Sequence, residues 1–331
     1  MMNALSRREC LLRGSVALAG AALASTSLAP WSLVNATAAV PVVDPSAPAA
    51  ASGTLWIGGD LEVSRLGFGA MRITGDDVWG EPRDPKEALA VLRRAVALGT
   101  NFIDTADAYG PYISERLIRE ALYPYPRGLL IATKGGYVRP RHDEWLQDGR
   151  PQHLRDACES SLTRLRLERI DLYQFHCPDP NVPYEESIGE LARLQKEGKI
   201  RHIGVSNVNT EQLAKALGIV KVVSVQNRYN IADRSSDDVL AVCERERIAF
   251  IPWAPLAQGA QARSAPDKRL AALQAIAKER HIDNNEANLA WLLARSPMML
   301  PIPGTSRVDH LEDNVGAAKV RLTAQEMARV G

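Results

Sequence analysis

Residues Asn101 to Gly110 read NFIDTADAYG, a short apolar run that ends on two chemically active side chains, Asp104 and Tyr109. The run has the length of a β-strand, and the residues before it, 85–98, repeat their apolar positions with the period of a helix. A strand that follows a helix and ends on polar groups is typical of a repeating strand–helix chain. The stretch therefore predicts a strand whose carboxyl end carries chemistry.

Two further strand-length runs end in the same way. Residues 129–134 (LLIATK) end on Lys134, and residues 170–176 (IDLYQFH) end on His176. Each residue has an ordinary reading by itself: a surface lysine, a turn cap for Asp104, a loop aromatic for Tyr109 and a structural histidine. If the strand ends lie together, the four side chains form one site with a phenol, an ammonium, a carboxylate and an imidazole. Such a group can deliver a proton to a carbonyl.

The alternation of strand and helix continues along the chain from residue 54. The predicted strands are 65–69, 101–104, 129–134, 170–176, 202–206, 222–227, 249–253 and 298–301. The predicted helices are 85–98, 114–122, 151–165, 183–197, 210–217, 236–247, 267–280, 286–295 and 308–317. Strands that are apolar throughout need helices on both faces, so the sheet should be parallel.

Eight such units predict an α/β protein with a closed (β/α)8 barrel, the TIM barrel, over residues 54–331. The alternative is an open, doubly wound sheet, which favours a Gly-x-Gly-x-x-Gly turn after its first strand. Residues 66–71 (LGFGAM) have two glycines at that interval and lack the third. The barrel is therefore favoured, and its functional groups are expected at the carboxyl ends of the strands.

Composition narrows the class of protein. Hydrophobic residues make up 46% and charged residues 24% of the chain, and the formal net charge is +1. This balance is typical of a globular protein and argues against nucleic acid or a membrane surface as partner. The cysteines, at 10, 158, 177 and 243, form no CxxC pair and no metal-ligand spacing with histidine, so we expect no metal site. We expect a monomer or a weak oligomer.

The amino-terminal segment differs from the rest. Arg7 and Arg8 precede an Ala/Gly/Leu-rich stretch, and Ala36-Thr37-Ala38 resembles a cleavage site. This pattern predicts a twin-arginine-type signal peptide over 1–38, hence export to the periplasm by the twin-arginine machinery without stable membrane insertion. If the leader is only a disordered tail or a misassigned start, the protein would be cytoplasmic. Residues 39–53 are rich in Pro, Ala and Ser and predict a flexible linker.

The motifs together resemble those of the aldo-keto reductase family. They are NFIDTADAYG (101–110), ATK (132–134), LYQFHCPD (172–179), GKIRHIGVSN (198–207) and VQNRYN (225–230). Other segments resemble bacterial members related to pyridoxal reductase: GEPRD (80–84), IPWAPL (251–256) and IPGTSR (302–307). The resemblance implies the barrel fold and a nicotinamide cofactor.

The resemblance also implies a role for each group of residues. Tyr109 is expected to be the general acid, with Lys134 lowering its pKa, Asp104 holding Lys134, and His176 orienting the carbonyl as a neutral imidazole. The expected cofactor contacts are Ser206, Asn207 and Gln226 at the carboxamide, Trp253 at the nicotinamide ring, Pro255, Leu256 and Gly259 along the pyrophosphate, and Gly304, Thr305, Ser306, Arg307, His310 and Asn314 at the adenine end. Arg307 and its neighbouring hydroxyls favour NADP(H), with NAD(H) as the alternative.

The expected function is NADPH-dependent reduction of an aldehyde or ketone, with a pyridoxal-like molecule as a possible substrate. Met71, Trp79 and Trp145 are expected to line the substrate pocket, although either tryptophan could simply pack its own loop. Two alternatives stay open. One is a cofactor-binding regulatory or redox-sensing subunit with little turnover, and the other is a Schiff-base aldolase that uses Lys134.

Overall fold

Seven parallel strands form the central sheet, and the α-helices follow them along the chain. The computed structural model describes residue 44, residues 46–256 and residues 267–331. The sheet strands, in spatial order, are β3 (Phe68–Gly69), β4 (Phe102–Asp104), β5 (Leu130–Gly135), β8 (Ile170–Phe175), β9 (Ile200–Ser206), β10 (Val222–Gln226) and β11 (Ala249–Phe250). Strands that are adjacent in the sheet also follow one another along the chain, as in a barrel. The exception is the step from β5 to β8, where two short strands of a separate sheet, β6 (Tyr137–Val138) and β7 (Leu146–Gln147), lie between them in the chain.

The helices alternate with these strands. They are α1 (Pro85–Ala97), α2 (Ile113–Leu122), α3 (Pro151–Leu165), α4 (Tyr184–Lys196), α5 (Thr210–Leu217), α6 (Asp237–Glu246), α7 (Lys268–Arg280), α8 (Asn284–Arg295), α9 (Val308–Gly316) and α10 (Ala324–Val330). The first nine agree with the predicted helices to within two residues at each end. Among the described residues, no helix has both the length and the apolar character needed to cross a membrane.

The segment 298–303 closes the ring as the eighth strand. Phe250 of β11 pairs with Met299 in parallel, and on the other side the Gly67 N–H donates to the Pro301 carbonyl at 2.9 Å. The segment forms only this short pairing, because its prolines have no N–H to donate to a ladder. The fold is therefore the expected (β/α)8 barrel, with its eighth strand reduced to two backbone hydrogen bonds on each side.

Period-two alternation decides which side chains face the barrel interior. Three inward residues of neighbouring strands belong to one buried cluster: Phe102, Ala132 and Leu172. Two positions further along the same strands come Asp104, Lys134 and Gln174. The strand parity that buries the apolar layer thus also sends these three polar side chains into the carboxyl end of the barrel.

A hairpin that was not predicted covers the opposite end of the barrel. It consists of β1 (Thr54–Ile57) and β2 (Leu61–Ser64), paired antiparallel, with Ile57 fully buried in the interior cluster. Asp60 in its turn accepts a hydrogen bond from Arg201 at 2.6 Å, at the beginning of β9. The hairpin therefore lies at the amino-terminal ends of the strands.

The described end of the predicted linker is packed against the barrel. Pro48–Ser52 forms a 3-10 helix, Ala49 is fully buried, and its N–H donates to the Leu98 carbonyl at 2.9 Å. The structure differs from the predicted flexible linker there, because small alanines fit closely against the end of α1. The signal peptide predicted for 1–38 lies outside the described residues.

Candidate active site

A buried lysine is the centre of the site. Lys134 Nζ donates to Asp104 Oδ2 at 2.6 Å, to the Thr105 carbonyl at 2.8 Å and to the Tyr109 hydroxyl at 3.3 Å. The Lys134 side chain is fully buried, and Asp104 and Tyr109 are only 2% and 6% exposed. An ammonium has three hydrogens, so all of them are used.

Two glutamines hold the other oxygen of the aspartate. Gln174 Nε2 donates to Asp104 Oδ1 at 3.0 Å, and Gln226 Nε2 donates to the same oxygen at 2.8 Å. Gln226 was expected at the cofactor carboxamide, whereas Gln174 was not singled out. The signal for Gln174 was its position two residues before His176, on the strand face that also carries Ile170 and Leu172.

Burial and the neighbouring charges shift the pKa values of Lys134 and Tyr109. Burial disfavours the charged form of Lys134, but the Asp104 carboxylate outweighs this and raises the pKa of Lys134. For Tyr109, burial raises the pKa of the phenol, and the nearby ammonium offsets only part of the increase. The expected lowering by Lys134 is present but outweighed, so the phenol of Tyr109 carries its proton at neutral pH.

The histidine next to this group is neutral. Burial, and then the charge of Lys134, lower the pKa of His176 well below its ordinary value. Its ring meets the Tyr137 ring edge to face at 4.7 Å and the Tyr109 ring at 5.9 Å. Among the described residues, Nδ1 has no hydrogen-bond partner. A neutral imidazole can still donate one hydrogen bond.

A cavity of about 600 Å³ opens above the phenol and the imidazole. Twelve of the predicted site residues line it: Met71, Asp104, Tyr109, Trp145, His176, Ser206, Asn207, Gln226, Trp253, Pro255, Leu256 and Gly304. The cavity also contacts Tyr137 and Arg72, which were not singled out from the sequence. Gly259 lies outside the described residues.

Hydrogen bonds fix the wall where a nicotinamide was expected. Trp253 Nε1 donates to Asn207 Oδ1 at 3.0 Å, and Asn207 Nδ2 donates to the His176 carbonyl at 3.0 Å. The Ser206 hydroxyl donates to the Gln226 carbonyl at 2.7 Å. The wall presents a flat indole beside amide and hydroxyl groups, which fits a ring that carries a carboxamide.

Two glycines, Gly69 and Gly304, pack closely in the cavity wall. A Cβ on Gly304 would lie 2.6 Å from the Gly69 carbonyl oxygen, so only glycine fits there. Arg72 lines both this cavity and a neighbouring one of about 620 Å³, which Ser306 and Arg307 also line. Among the described residues Arg72 forms no ion pair, so its charge is available to an anion.

The predicted adenine-end residues are spread around the beginning of α9. The Arg307 guanidinium is held by both carboxylate oxygens of Asp309, with Nε at 2.9 Å from Oδ1. The backbone N–H of Arg307 donates to the Thr305 hydroxyl at 3.1 Å. His310 is exposed and Asn314 is buried. The guanidinium expected to bind a 2′-phosphate is therefore paired within the protein.

The substrate side of the cavity differs from the expectation at one residue. Met71 and Trp145 line the cavity, but Trp79 is not among its lining residues. The guanidinium carbon of Arg139 lies 5.4 Å from the centre of the Trp79 ring and 3.8 Å from that of Trp145. Trp79 thus packs on Arg139, behind the wall, because the arginine occupies the position next to Trp145.

The chain matches the description "Aldo/keto reductase family" over residues 65–331 and belongs to that family. It is 48% identical to an uncharacterised oxidoreductase of Schizosaccharomyces pombe, over 90% of this chain and 94% of the relative. It is 40% identical to pyridoxine 4-dehydrogenase of Escherichia coli, over 82% and 94% of the two chains. A crystal structure of an aldo/keto reductase from Klebsiella pneumoniae in complex with NADP and acetate superposes with a TM-score of 0.70 at 26% identity, covering 84% of this chain and 93% of that one.

Proposed function

We propose that this protein reduces an aldehyde or ketone to an alcohol with NADPH. The observation that carries the proposal is the protonated Tyr109 hydroxyl in the cavity wall, 3.3 Å from an ammonium that is itself held by Asp104. NADPH supplies the hydride to the carbonyl carbon. The chain's own residues then have to deliver one proton to the carbonyl oxygen.

Each of the four residues has one task in that transfer. Tyr109 gives its proton to the oxygen, and Lys134 stabilises the phenolate that remains. Asp104 keeps Lys134 charged in spite of its complete burial. His176, neutral and lining the same cavity, donates a hydrogen bond that orients the carbonyl. In the oxidative direction the phenolate of Tyr109 accepts the proton.

NADP(H) is the proposed cofactor. Ser206, Asn207 and Gln226 would hold the carboxamide and Trp253 the nicotinamide ring, with Pro255, Leu256 and Gly259 along the pyrophosphate. Support comes from the fixed indole and amide wall and from the NADP-bound relative of Klebsiella pneumoniae. Gly304, Thr305, Ser306, Arg307, His310 and Asn314 would surround the adenine end.

A pyridoxal-like aldehyde is the proposed substrate. The cavity places the aromatic side chains of Tyr137 and Trp145 beside Tyr109 and His176, which suits a flat ring. The 40% identity to pyridoxine 4-dehydrogenase of Escherichia coli, whose name refers to a substrate of this shape, supports the same class.

The two alternative functions agree less well with the geometry. A Schiff-base lysine needs a free amine, which a lowered pKa provides. The pKa of Lys134 is raised instead, and its three hydrogens are all bonded. A regulatory subunit with little turnover would share the fold, but it would not need an acid held by an ion pair.

The decisive experiment follows NADPH oxidation at 340 nm with pyridoxal and other aldehydes. Tyr109→Phe should abolish most turnover and leave the Kd for NADPH nearly unchanged. Tyr123→Phe removes a hydroxyl from an exposed tyrosine and is the matched control. Wild-type turnover in Tyr109→Phe would disprove the acid role, and cofactor binding without turnover by the wild-type protein would favour the regulatory alternative.

We further propose export of the folded protein by the twin-arginine route, with the cofactor bound before transport. The support is the Arg7-Arg8 pair, the apolar stretch after it and Ala36-Thr37-Ala38. Fractionation of cells that express the tagged full-length chain should find the shortened protein in the periplasm. An uncleaved protein found only in the cytoplasm would refute export.

A further inference from the structure

Arg139 differs from most other buried charges because no carboxylate pairs with it among the described residues. Its side chain is nearly buried, with the residue 7% exposed. A buried guanidinium without a counter-ion is unfavourable unless hydrogen bonds compensate. The position therefore requires acceptors from the surrounding backbone.

Carbonyl groups of two different loops supply these acceptors. Arg139 Nη1 donates to the Val78 carbonyl at 3.2 Å and Nη2 to the Asp77 carbonyl at 3.3 Å. Nε donates to the Glu144 carbonyl at 3.0 Å, and Nη2 also reaches the His142 carbonyl. One side chain thus joins the loop after β3 to the loop between the strands β6 (Tyr137–Val138) and β7 (Leu146–Gln147). We call this set of hydrogen bonds from Arg139 the loop clamp.

The first of these loops has an unfavourable backbone conformation. Asp77 and Val78 have φ values of 54° and 60°, in the left-handed region that a β-branched residue rarely adopts. Such conformations persist only where the surrounding structure holds them. The bonds from Arg139 to both carbonyls help to hold this turn, together with the bond from the Gly110 N–H to the Val78 carbonyl at 3.1 Å.

Arg139 also holds an aromatic wall of the active-site cavity. Its guanidinium carbon lies 3.8 Å from the centre of the Trp145 ring, a cation–π contact. Trp145 lines the cavity and meets Tyr109 and Tyr137 edge to face, at 6.5 Å and 5.5 Å. Trp145 is itself 36% exposed, so part of its side chain faces solvent.

We propose that Arg139 is a positioning residue that sets substrate preference by fixing Trp145. With the indole held beside Tyr109, the cavity favours flat aromatic carbonyl compounds over small aliphatic ones. This inference rests on the proposed reductase function. It adds a determinant of specificity that lies outside the proton-transfer group.

The kinetic test compares benzaldehyde with propanal, using NADPH and the full chain. Arg139→Lys keeps the charge but cannot make the same fork of bonds, and the ratio of the two kcat/KM values should fall about tenfold toward propanal. Arg141→Lys is the matched control, since Arg141 is in the same loop with a side chain that is 71% exposed. An equal loss on both aldehydes would show a general structural role and overturn the proposal.

A double-mutant cycle tests whether Arg139 acts through the indole. Trp145→Ala should shift the ratio in the same direction, and adding Arg139→Lys to it should change little more. Independent, multiplying effects of the two substitutions would overturn the proposal. Trp145→Ala also tests the wall in a protein whose loop clamp is intact.

Hydrogen exchange gives a readout that does not depend on turnover. Arg139→Lys should speed amide exchange in residues 76–80 and 142–145 together, whereas Arg141→Lys should not. Unchanged exchange in Arg139→Lys would refute the clamp even if the enzyme is active. A wild-type protein that turns over neither aldehyde, nor pyridoxal, would refute the reductase function while the exchange data still decide on the clamp.

Discussion

Removing the lysine from the buried ion pair should cost both stability and catalysis. In Lys134→Met, the Asp104 carboxylate stays 2% exposed and keeps only the two glutamine donors. Breaking a buried pair by removing one partner costs about 3–5 kcal/mol in the free energy of unfolding. At about 2–4 °C per kcal/mol, the Tm should fall by roughly 6–20 °C.

The companion variant Asp104→Asn leaves the ammonium of Lys134 buried without its counter-ion, and its cost should be of the same order. The double variant removes both charges, so its loss should be smaller than the sum of the single losses by about 2 kcal/mol or more. The two variants that lack Lys134 should lose about 100-fold or more in kcat, because the phenolate of Tyr109 is no longer stabilised.

Urea unfolding followed by circular dichroism measures the three free energies, and NADPH oxidation measures kcat. Lys199→Met is the control, because Lys199 pairs with Glu159 and Glu197 at the surface and should change the Tm little. Additive losses in the Lys134 and Asp104 variants would refute a buried, coupled pair. So would a Lys134→Met variant as stable as Lys199→Met.

Three other outcomes follow from the same structure. The rate of carbonyl reduction should stay level between about pH 6 and about pH 9, since Tyr109 stays protonated and His176 stays neutral in that range. An inflection near pH 6.5 that disappears in a His176 variant would contradict the lowered pKa of His176. Burial, and then the charge of Glu115, raise the pKa of Asp107 to about 8. As pH rises, Asp107 therefore ionises first in the unfolded chain, and wild-type stability should decline between about pH 4 and about pH 8. Thermal unfolding of Asp107→Asn should show a smaller decline, and parallel curves for the two proteins would contradict this. Asp309→Asn should free Arg307 and tighten NADPH binding about threefold without affecting NADH, as measured by fluorescence titration, and equal changes for both cofactors would argue against a 2′-phosphate contact.

The sequence predicted most of the fold because its apolar strands alternate with amphipathic helices. The hairpin of β1 and β2 was missed because Trp56, an apolar residue, is 54% exposed and obscures the alternation between buried and exposed positions. The eighth strand was predicted correctly in place, but its prolines reduce it to a short pairing. These differences arise where local composition gives a misleading or incomplete signal.

The chemistry of the site was predictable where one motif carries it, and less so where distant residues meet. Asp104 and Tyr109 stand five residues apart, whereas Gln174 reaches Asp104 from 70 residues away. Arg139 reaches Val78 across 61 residues, and no local pattern marks it as a clamp. Trp79 was assigned to the substrate pocket from residue type alone, and its contact with Arg139 could be seen only in three dimensions.

The raised pKa of Tyr109 sharpens the role of Lys134. If Tyr109 were already a phenolate at neutral pH, it would have no proton to give. Burial keeps the phenol protonated and therefore favours the reductive direction. The cost of burial would then return when the phenolate forms, and the ammonium 3.3 Å away offsets it at that moment. Lys134 therefore contributes more to the state after proton transfer than to the state before it. Its effect should be larger on kcat than on substrate binding, and a Lys134→Met variant that raised KM while keeping kcat would contradict this distinction.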